Sequence, residues 1–411
     1  MAYIFWIMLF LNARRQLNQK SFEISTKNQG AIIELVSGMQ EIRLNNCEQQ
    51  KRWEWENIQA SLFNYSIRLL KIGQLQHGGA TLINEFKNLV ITYLSVRAVM
   101  NGDLTLGAMM ATQYIIGQLN MPLDQVVSFI QGYQDANLSL ERLNEIQEME
   151  NEETVENDLR HALPESKTIA INEITFSYPG TENFPVLKNL SMTIPEGKTT
   201  AIVGMSGGGK TSLIKLLLRF YESQSGDIFV GMHNIKEFSF ASWREKCGVV
   251  MQDGFIFSDT IEGNIAVGGK SIDAAQLLHA IKVANLEDFI SDLPLGLLTK
   301  IGADGNGLSQ GQKQRILIAR AVYKDPQYLF FDEAINALDA TNELTIMTNL
   351  QEFFNGKTVV IVAHRLSTVN NADNIVVLKN GEIIEQGKHT ELIASGKGYY
   401  QLVKNQLELG L

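Results

Sequence analysis

Residues 204–211 read GMSGGGKT, which fits the spacing of a phosphate-binding loop: Gly, four residues, then Gly-Lys-Thr. The apolar run KTTAIVG precedes the loop and SLIKLLLRF follows it with apolar residues at helical spacing, so the loop joins a buried strand to a helix. Glycines let backbone N–H groups approach a phosphate, and the helix N-terminus adds a partial positive charge. The alternative is a glycine-rich structural turn. The residues predicted to contact a nucleotide here are Gly204, Ser206, Gly207, Gly208, Gly209, Lys210, Thr211 and Ser212.

The stretch YLFFDEA, residues 328–334, predicts a second part of the same site. Its apolar residues indicate a buried strand, and Asp332 and Glu333 follow at the carboxyl end, where ligands of open α/β sheets bind. In such a site Lys210 reaches the outer phosphates, while the Thr211 hydroxyl and Asp332 are predicted to hold Mg²⁺. Glu333 is then the general base that polarises the attacking water. Taken alone, an Asp-Glu pair after a strand is more often a helix cap or a surface feature.

Further motifs make residues 168–411 resemble the nucleotide-binding domain of an ATP-binding-cassette (ABC) transporter. The resemblance implies that Tyr178 in ITFSYPG stacks on adenine, that Gln252 in VVMQDGFIF senses Mg²⁺ and the attacking water, and that His364 in IVAHRLS contacts the γ-phosphate. Outside this context Tyr178 is one more strand aromatic, and a lone histidine at a strand end is usually structural. The implied fold is an α/β P-loop NTPase domain with an ABC-type helical subdomain.

Residues 308–312, LSQGQ, resemble the family signature Leu-Ser-Gly-Gly-Gln, which in such proteins closes on the γ-phosphate of ATP held by the partner subunit. Gln310 replaces the usual first glycine. Ser309 and Gly311 are retained at the start of a predicted helix, so we expect the anion site to survive this change. Gln312 is the last residue of the signature and is counted with the nucleotide contacts.

The segment after Glu333 resembles the loop that couples the two sites of an ABC dimer. Residues 337–339 match that loop, and Asp339 is predicted to contact nucleotide, whereas Ile335 stands where the family usually has a small hydroxyl residue. Because the sequence carries a single copy of each motif, the expected partner is a second copy of the same chain in a homodimer, or a related half-transporter. The resemblance implies a competent ATPase that uses ATP and Mg²⁺, since Glu333 and His364 are both present.

The first 147 residues begin with an apolar stretch, MAYIFWIMLFLNA, at positions 1–13. This stretch is too short to cross a bilayer, which needs roughly 20 residues. Arg14, Arg15 and Lys20 follow directly, which favours the cytoplasmic end of a transmembrane helix.

Two later stretches are candidates for membrane-spanning helices. Residues 104–123 are uncharged and long enough, with Pro122 as a predicted kink. Residues 75–100 are a weaker candidate because Glu85 and Lys87 lie inside them, and such charges should face a bundle interior or a hydrated cavity. The alternative is a soluble helical domain.

Residues 16–65 are polar with periodic apolar positions, which predicts a long amphipathic helical stretch. Together these features make residues 1–147 resemble the last three transmembrane helices of an ABC exporter, an all-α part that is incomplete. In such exporters a short coupling helix at the tip of the intracellular loop docks on the opposite nucleotide-binding domain. Residues 53–56, WEWE, are predicted to lie near this tip, with ordinary helix packing as the alternative.

Residues 148–167 are acidic and poor in large apolar residues, which predicts a linker. The net charge of −10 argues against nucleic acid as the main partner. The two cysteines, Cys47 and Cys247, are predicted to be reduced packing residues.

The stretches SWREKCGVVMQDGFIF, GNGLSQGQKQR and YYQLVKNQLELGL resemble the peptide and bacteriocin exporters that carry a peptidase domain. The resemblance implies a multi-pass protein of the inner (plasma) membrane, surrounded by lipid, with a cytoplasmic nucleotide-binding domain and an exported peptide as cargo. We expect no proteolytic activity from these residues. The alternatives are a lipid or drug exporter, a soluble ABC-type ATPase and a truncated, non-functional remnant.

Overall fold

The computed structural model of the chain describes residues 2–149, 151–153, 159–181, 183–268, 271–302, 307–334, 340–363 and 369–408. The chain divides into two compact units, Met1–Glu150 and Asn151–Leu411.

The first unit is helical, as predicted. Its helices are α1 (Ala2–Ser37), α2 (Met39–Leu44), α3 (Glu48–Met100) and α4 (Leu106–Gln147). Helix α4 begins at a cap in which the Thr105 hydroxyl accepts a hydrogen bond from Ala108 N, and it continues through Pro122. Among the residues that the structure describes, no helix contains a stretch both long and apolar enough to cross a membrane.

Helix α1 packs along α3 and contacts α4. The Trp6 indole lies against Gly79 so closely that a Cβ at Gly79 would come within 2.4 Å of the ring. Its Nε1 donates to the Gln76 carbonyl at 3.1 Å, which fixes the ring on α3. Toward α4, Arg15 pairs with Glu141 at 2.9 Å. Arg14, which pairs with Asp135 at 3.4 Å, and Arg15 therefore both contact acidic residues of α4 within this unit.

The tip of the helical hairpin corrects one prediction. The short helix between α1 and α3 is α2 (Met39–Leu44), so residues 53–56 lie inside α3 and not at the tip. Trp55 Nε1 donates to Asn28 Oδ1 on α1 at 3.0 Å. This contact joins two helices of the unit, which agrees with the alternative of ordinary helix packing for Trp55. The prediction failed because the apolar periodicity continues on both sides of α2. The turn itself is made by Gly38 and by Asn46, whose φ of 50° is left-handed.

The second unit is an α/β domain. Its strands are β1 (Ile169–Phe176), β2 (Leu187–Ile194), β3 (Thr199–Val203), β4 (Ser225–Val230), β5 (His233–Asn234), β6 (Cys247–Val250), β7 (Asp259–Thr260), β8 (Lys300–Ile301), β9 (Tyr328–Asp332), β10 (Thr358–Val362), β11 (Asn374–Lys379) and β12 (Glu382–Gly387). Its helices include α5 (Lys210–Leu217), α6 (Phe240–Glu245), α7 (Ile261–Ile265), α8 (Ala274–Val283), α9 (Glu287–Ser291), α10 (Gln310–Tyr323) and α11 (Ala340–Phe353), followed by His389–Ser395 and Gly398–Glu408.

Two main sheets organise this domain. One is antiparallel in the order β2-β1-β4-β5, and the other has the order β12-β11-β3-β10-β9-β6. In the second sheet the five strands from β11 to β6 are parallel, so their carboxyl ends lie at one edge. Strands β9 and β10 are buried along their whole length, which explains their continuous apolar sequences.

The described residues of the predicted linker from Asn151 onward belong to the second unit and are bound to it. Glu152 forms a bidentate ion pair with Arg244 of α6, with oxygen–nitrogen distances of 2.6 and 2.9 Å. Farther on, Arg160 N donates to the Glu237 carbonyl at 2.8 Å. Cys247 is buried and Cys47 is half-buried, and both are free thiols.

Candidate nucleotide site

The phosphate-binding loop connects β3 to α5, as the sequence predicts. Two of its glycines are required by the backbone. A Cβ on Gly204 would lie 2.0 Å from the Leu378 carbonyl oxygen, and Gly209, which caps α5, has a φ of 97°. The loop can therefore turn tightly onto α5 only with glycine at both positions.

Lys210 is folded back onto its own loop. Its Nζ donates to the carbonyls of Gly204 at 3.0 Å and Met205 at 2.9 Å, and the residue is only 5% exposed. Burial lowers the pKa of the ammonium group, while the nearby carboxylates of Glu333 and Asp332 raise it. The lysine is thus held at the loop with acceptors that phosphate oxygens could replace.

Asp332 ends β9 and is fully buried, with 0% exposure. Within the described part of the chain, neither of its carboxylate oxygens has a hydrogen bond of normal geometry. Burial raises the pKa of Asp332, opposed by the neighbouring Thr211 hydroxyl and by Lys210. A buried carboxylate without a full set of partners is costly. These oxygens suit Mg²⁺, which binds through one or two carboxylates plus substrate phosphates.

Glu333 follows Asp332 in a strained backbone conformation, with a φ of +51°. Its peptide is anchored on both sides. Glu333 N donates to the Val362 carbonyl of β10 at 3.1 Å, and its own carbonyl accepts from Gln314 Nε2 at 3.2 Å. The half-buried side chain therefore starts from a fixed backbone at the carboxyl edge of the sheet.

Gln252 lies two residues beyond β6, which pairs in parallel with β9. The pairing of Val250 with Phe331 puts Gln252 at the same sheet edge as Asp332. The residue is exposed. The loop that contains Gln252 packs so closely on α10 that a Cβ on Gly254 would lie 2.3 Å from a methyl of Leu317.

Tyr178 follows β1 and belongs to an aromatic cluster. Its ring centroid is 5.0 Å from that of Phe176 and 5.2 Å from that of Tyr221, in edge contacts. Its hydroxyl lies 2.9 Å from the hydroxyl of Ser212 on α5. Ser212, predicted as a nucleotide contact, therefore bonds to the tyrosine predicted to stack on adenine, and both roles remain predictions.

The signature residues form the N-terminal cap of α10. Ser309 Oγ accepts from Gln312 N at 3.2 Å, and Gln312 Oε1 accepts from Ser309 N at 2.9 Å, which is a capping box. Gln310 is the first residue of the helix and is exposed, and Gly311 is half-buried. The departure at position 310 thus lies on a solvent-facing first turn that the cap holds in place.

Two predicted site residues, Asp339 and His364, lie outside the described residues, as do Ile335, Ala337 and Leu338. Their predicted roles stay predictions.

Two contacts of α10 with the nucleotide site, made by Gln314 and Arg320, were not predicted from the sequence. Gln314 reaches the Glu333 backbone, and Arg320 Nη1 donates to the Phe255 carbonyl beyond Gln252 at 2.9 Å. The sequence does contain a signal for Gln314. It is a polar residue one helical turn after Gln310, on a helix whose apolar residues are buried.

Comparisons with known proteins agree with this geometry. Residues 187–336 match the family model described as ABC transporter. The chain is similar to the leukotoxin translocation ATP-binding protein LktB of Mannheimia haemolytica and of Mannheimia glucosida, each 36% identical over 411 residues. These matches cover 99% of this chain and 57% of the relatives, so the chain spans little more than half of their length.

A solved structure of a bacterial Atm1-family ABC exporter with ATP bound has the same fold. Its TM-score is 0.92 at 27% sequence identity, covering 98% of this chain and 70% of that one. The fold, the phosphate-binding loop and the matched region lead to one identification: the second unit contains an ABC transporter ATP-binding domain, which is an ATPase domain.

Proposed function

We propose that this chain is the ATP-hydrolysing subunit of an exporter that moves a peptide or small protein across the inner membrane. The observation that carries the hydrolytic part is the buried, incompletely partnered carboxylate of Asp332 next to Thr211 and the buried Lys210. Such an arrangement is costly by itself and is relieved by a cation and a phosphate chain.

The residues divide the chemistry among them. Lys210 exchanges its two carbonyl acceptors for phosphate oxygens, and the loop N–H groups surround the phosphates. Thr211 and Asp332 would hold Mg²⁺, which neutralises charge on the phosphates when bound. Glu333 accepts a proton from the attacking water while its anchored peptide keeps the carboxylate at the sheet edge.

The active unit is proposed to contain two chains. The first turn of α10 begins at the exposed Ser309 and Gln310, so an anion from outside the chain can approach the N-terminus of this helix. A second copy, or a related half-transporter, would supply this end to the nucleotide on the first chain.

The cargo and the location rest on the relatives. LktB is described as a translocation protein for a leukotoxin, which supports a secreted peptide or protein as the exported molecule. The long helices α1, α3 and α4 would line the path in the membrane, in contact with lipid, with the ATP-binding unit in the cytoplasm. Lipid and drug export are the alternatives.

Complementation tests the two-chain site. Lys210→Ala and Ser309→Ala chains, co-expressed with different tags and purified through both, form pairs with one intact and one doubly damaged site. We expect up to about half of wild-type ATP hydrolysis from these pairs. The matched control pairs wild type with the Lys210→Ala/Ser309→Ala double variant, which leaves no intact site and should be inactive. Equal activity of the two pairs would contradict the shared site.

Fractionation tests the membrane assignment. After detergent-free lysis, the full chain should sediment with membranes and resist an alkaline carbonate wash, which releases peripheral proteins. Recovery in the supernatant would favour the soluble ATPase alternative. Stimulation of hydrolysis by secreted peptides, and not by phospholipids or hydrophobic drugs, would support the cargo class.

A further inference from the structure

Helix α10 touches three parts of the nucleotide site within one chain. Its N-terminus is the capped signature at Ser309, its second turn carries Gln314, and its third and fourth turns hold the loop after Gln252 through Leu317 and Arg320. The helix is held in the domain because its apolar side is buried against α7, α8 and β6. Because the helix moves as one element, a displacement of its N-terminus would change the contacts made by Gln314, Leu317 and Arg320.

The contact to the proposed base is made by Gln314. This side chain is 8% exposed, and its Nε2 donates to the Glu333 carbonyl at 3.2 Å. Gln314 lies four residues after Gln310, which is about 6 Å along the helix. The same short segment of helix thus carries the signature at one end and holds the base at the other.

Glu333 needs such support because of its backbone. A non-glycine residue at φ +51° is strained, and surrounding contacts must hold it. Within the described part of the chain, the contacts that hold it include one to the Val362 carbonyl of β10 and one to Gln314 of α10. Releasing the α10 contact would let this peptide rotate, and the carboxylate would lose its direction.

We propose that Gln314 is a positioning residue for ATP hydrolysis. It ties the backbone of Glu333 to the helix that begins at Ser309, so engagement of the signature and orientation of the general base within one chain are coupled. The inference rests on the proposed function of Glu333 as the base.

The test is steady-state hydrolysis by the full chain over a range of ATP concentrations. Gln314→Met keeps the length of the side chain but removes the donor, and we expect kcat to fall about tenfold with KM for ATP changed less than about twofold. The matched control, Gln327→Met, makes the same exchange at the far end of β9 and should leave both parameters unchanged. If Gln314→Met fails to unfold cooperatively, Gln314→Leu replaces it, because it also removes the donor without adding a charge, and it should show the same loss.

A double-variant cycle separates positioning from a general structural defect. With Glu333→Gln already present, Gln314→Met should change the residual rate less than about twofold, because no base remains to be oriented. An equal tenfold loss in both backgrounds would overturn the proposal, as would an unchanged kcat in Gln314→Met alone. If Glu333→Gln itself left turnover unchanged, the base assignment would fall and the proposal with it. If Glu333→Gln slows turnover and Gln314→Met does not, only the proposal falls.

Discussion

The carboxyl edge of the parallel sheet and the N-terminus of α10 differ in how their polar groups are satisfied. At the sheet edge, Asp332 is buried and short of partners, and Lys210 is turned onto carbonyls of its own loop. At α10, Ser309 and Gln312 satisfy each other at the surface. One region is incomplete without a ligand, whereas the other is complete and still accessible.

The difference indicates two kinds of contribution to one reaction. The buried charges at the sheet edge have an unfavourable electrostatic free energy that a bound cation and phosphates would reduce. Residues at this edge should therefore control ATP binding and hydrolysis directly. The capped helix can receive an anion without rearranging, so its residues should matter for hydrolysis and only modestly for folding. Substitutions at the sheet edge and at the N-terminus of α10 should therefore have different effects on ATP binding, hydrolysis and folding stability.

The largest effect is expected at the base. Glu333→Gln should slow hydrolysis by about 10² or more while ATP still binds, because general-base assistance is typically worth that much. Single-turnover hydrolysis and nucleotide binding, measured on the same preparation, check both halves. Unchanged turnover would contradict the role of Glu333.

Lys210→Ala should weaken ATP binding by about 10- to 100-fold, since it removes a charge-assisted contact to phosphate. A fluorescence titration with a labelled ATP measures the dissociation constant. Lys198→Ala is the matched control, because Lys198 is an exposed lysine of the same unit that pairs with Asp373. Wild-type affinity in Lys210→Ala would count against the phosphate-binding loop.

At the signature, two variants separate the cap from the nucleotide role. Ser309→Ala should cost about 1 kcal/mol of folding stability because the cap is lost, whereas Ser309→Asn keeps a good cap. We expect both to lower hydrolysis and only Ser309→Ala to lower the denaturation midpoint. Full hydrolysis in Ser309→Asn would show that Ser309 acts through the cap alone.

The smallest effect is expected far from both regions, at the linker. The hydrogen bond and charge of Arg244 lower the pKa of Glu152, so this pair stabilises the folded state at neutral pH and the contribution is lost as the pH falls through the lowered pKa. Because Glu152 is 58% exposed, screening limits the effect of Glu152→Gln to less than about 1 kcal/mol. Urea denaturation at pH 7 and at acidic pH checks this, with Glu165→Gln as control. A difference that grows on acidification would contradict the assignment.

Sequence reasoning succeeded where a function leaves a local pattern. The loop at 204–211 lies between a strand and a helix, as predicted, and the carboxylates lie at the end of a buried strand, where Asp332 is the last residue and Glu333 follows it. It failed at the hairpin tip, because α2 is set by two short turns inside a continuous helical periodicity. It also missed Gln314, whose partner is a backbone carbonyl 19 residues away that only the tertiary structure reveals.

The most direct test concerns the buried carboxylate of Asp332. The thermal midpoint of the full chain should rise with ATP and Mg²⁺ well above its value with ATP and a chelator. Asp332→Asn should be more stable than wild type without ligand, because a buried charge has been removed, and should gain nothing from Mg²⁺. A wild-type midpoint that is the same with Mg²⁺ and with the chelator would contradict the account.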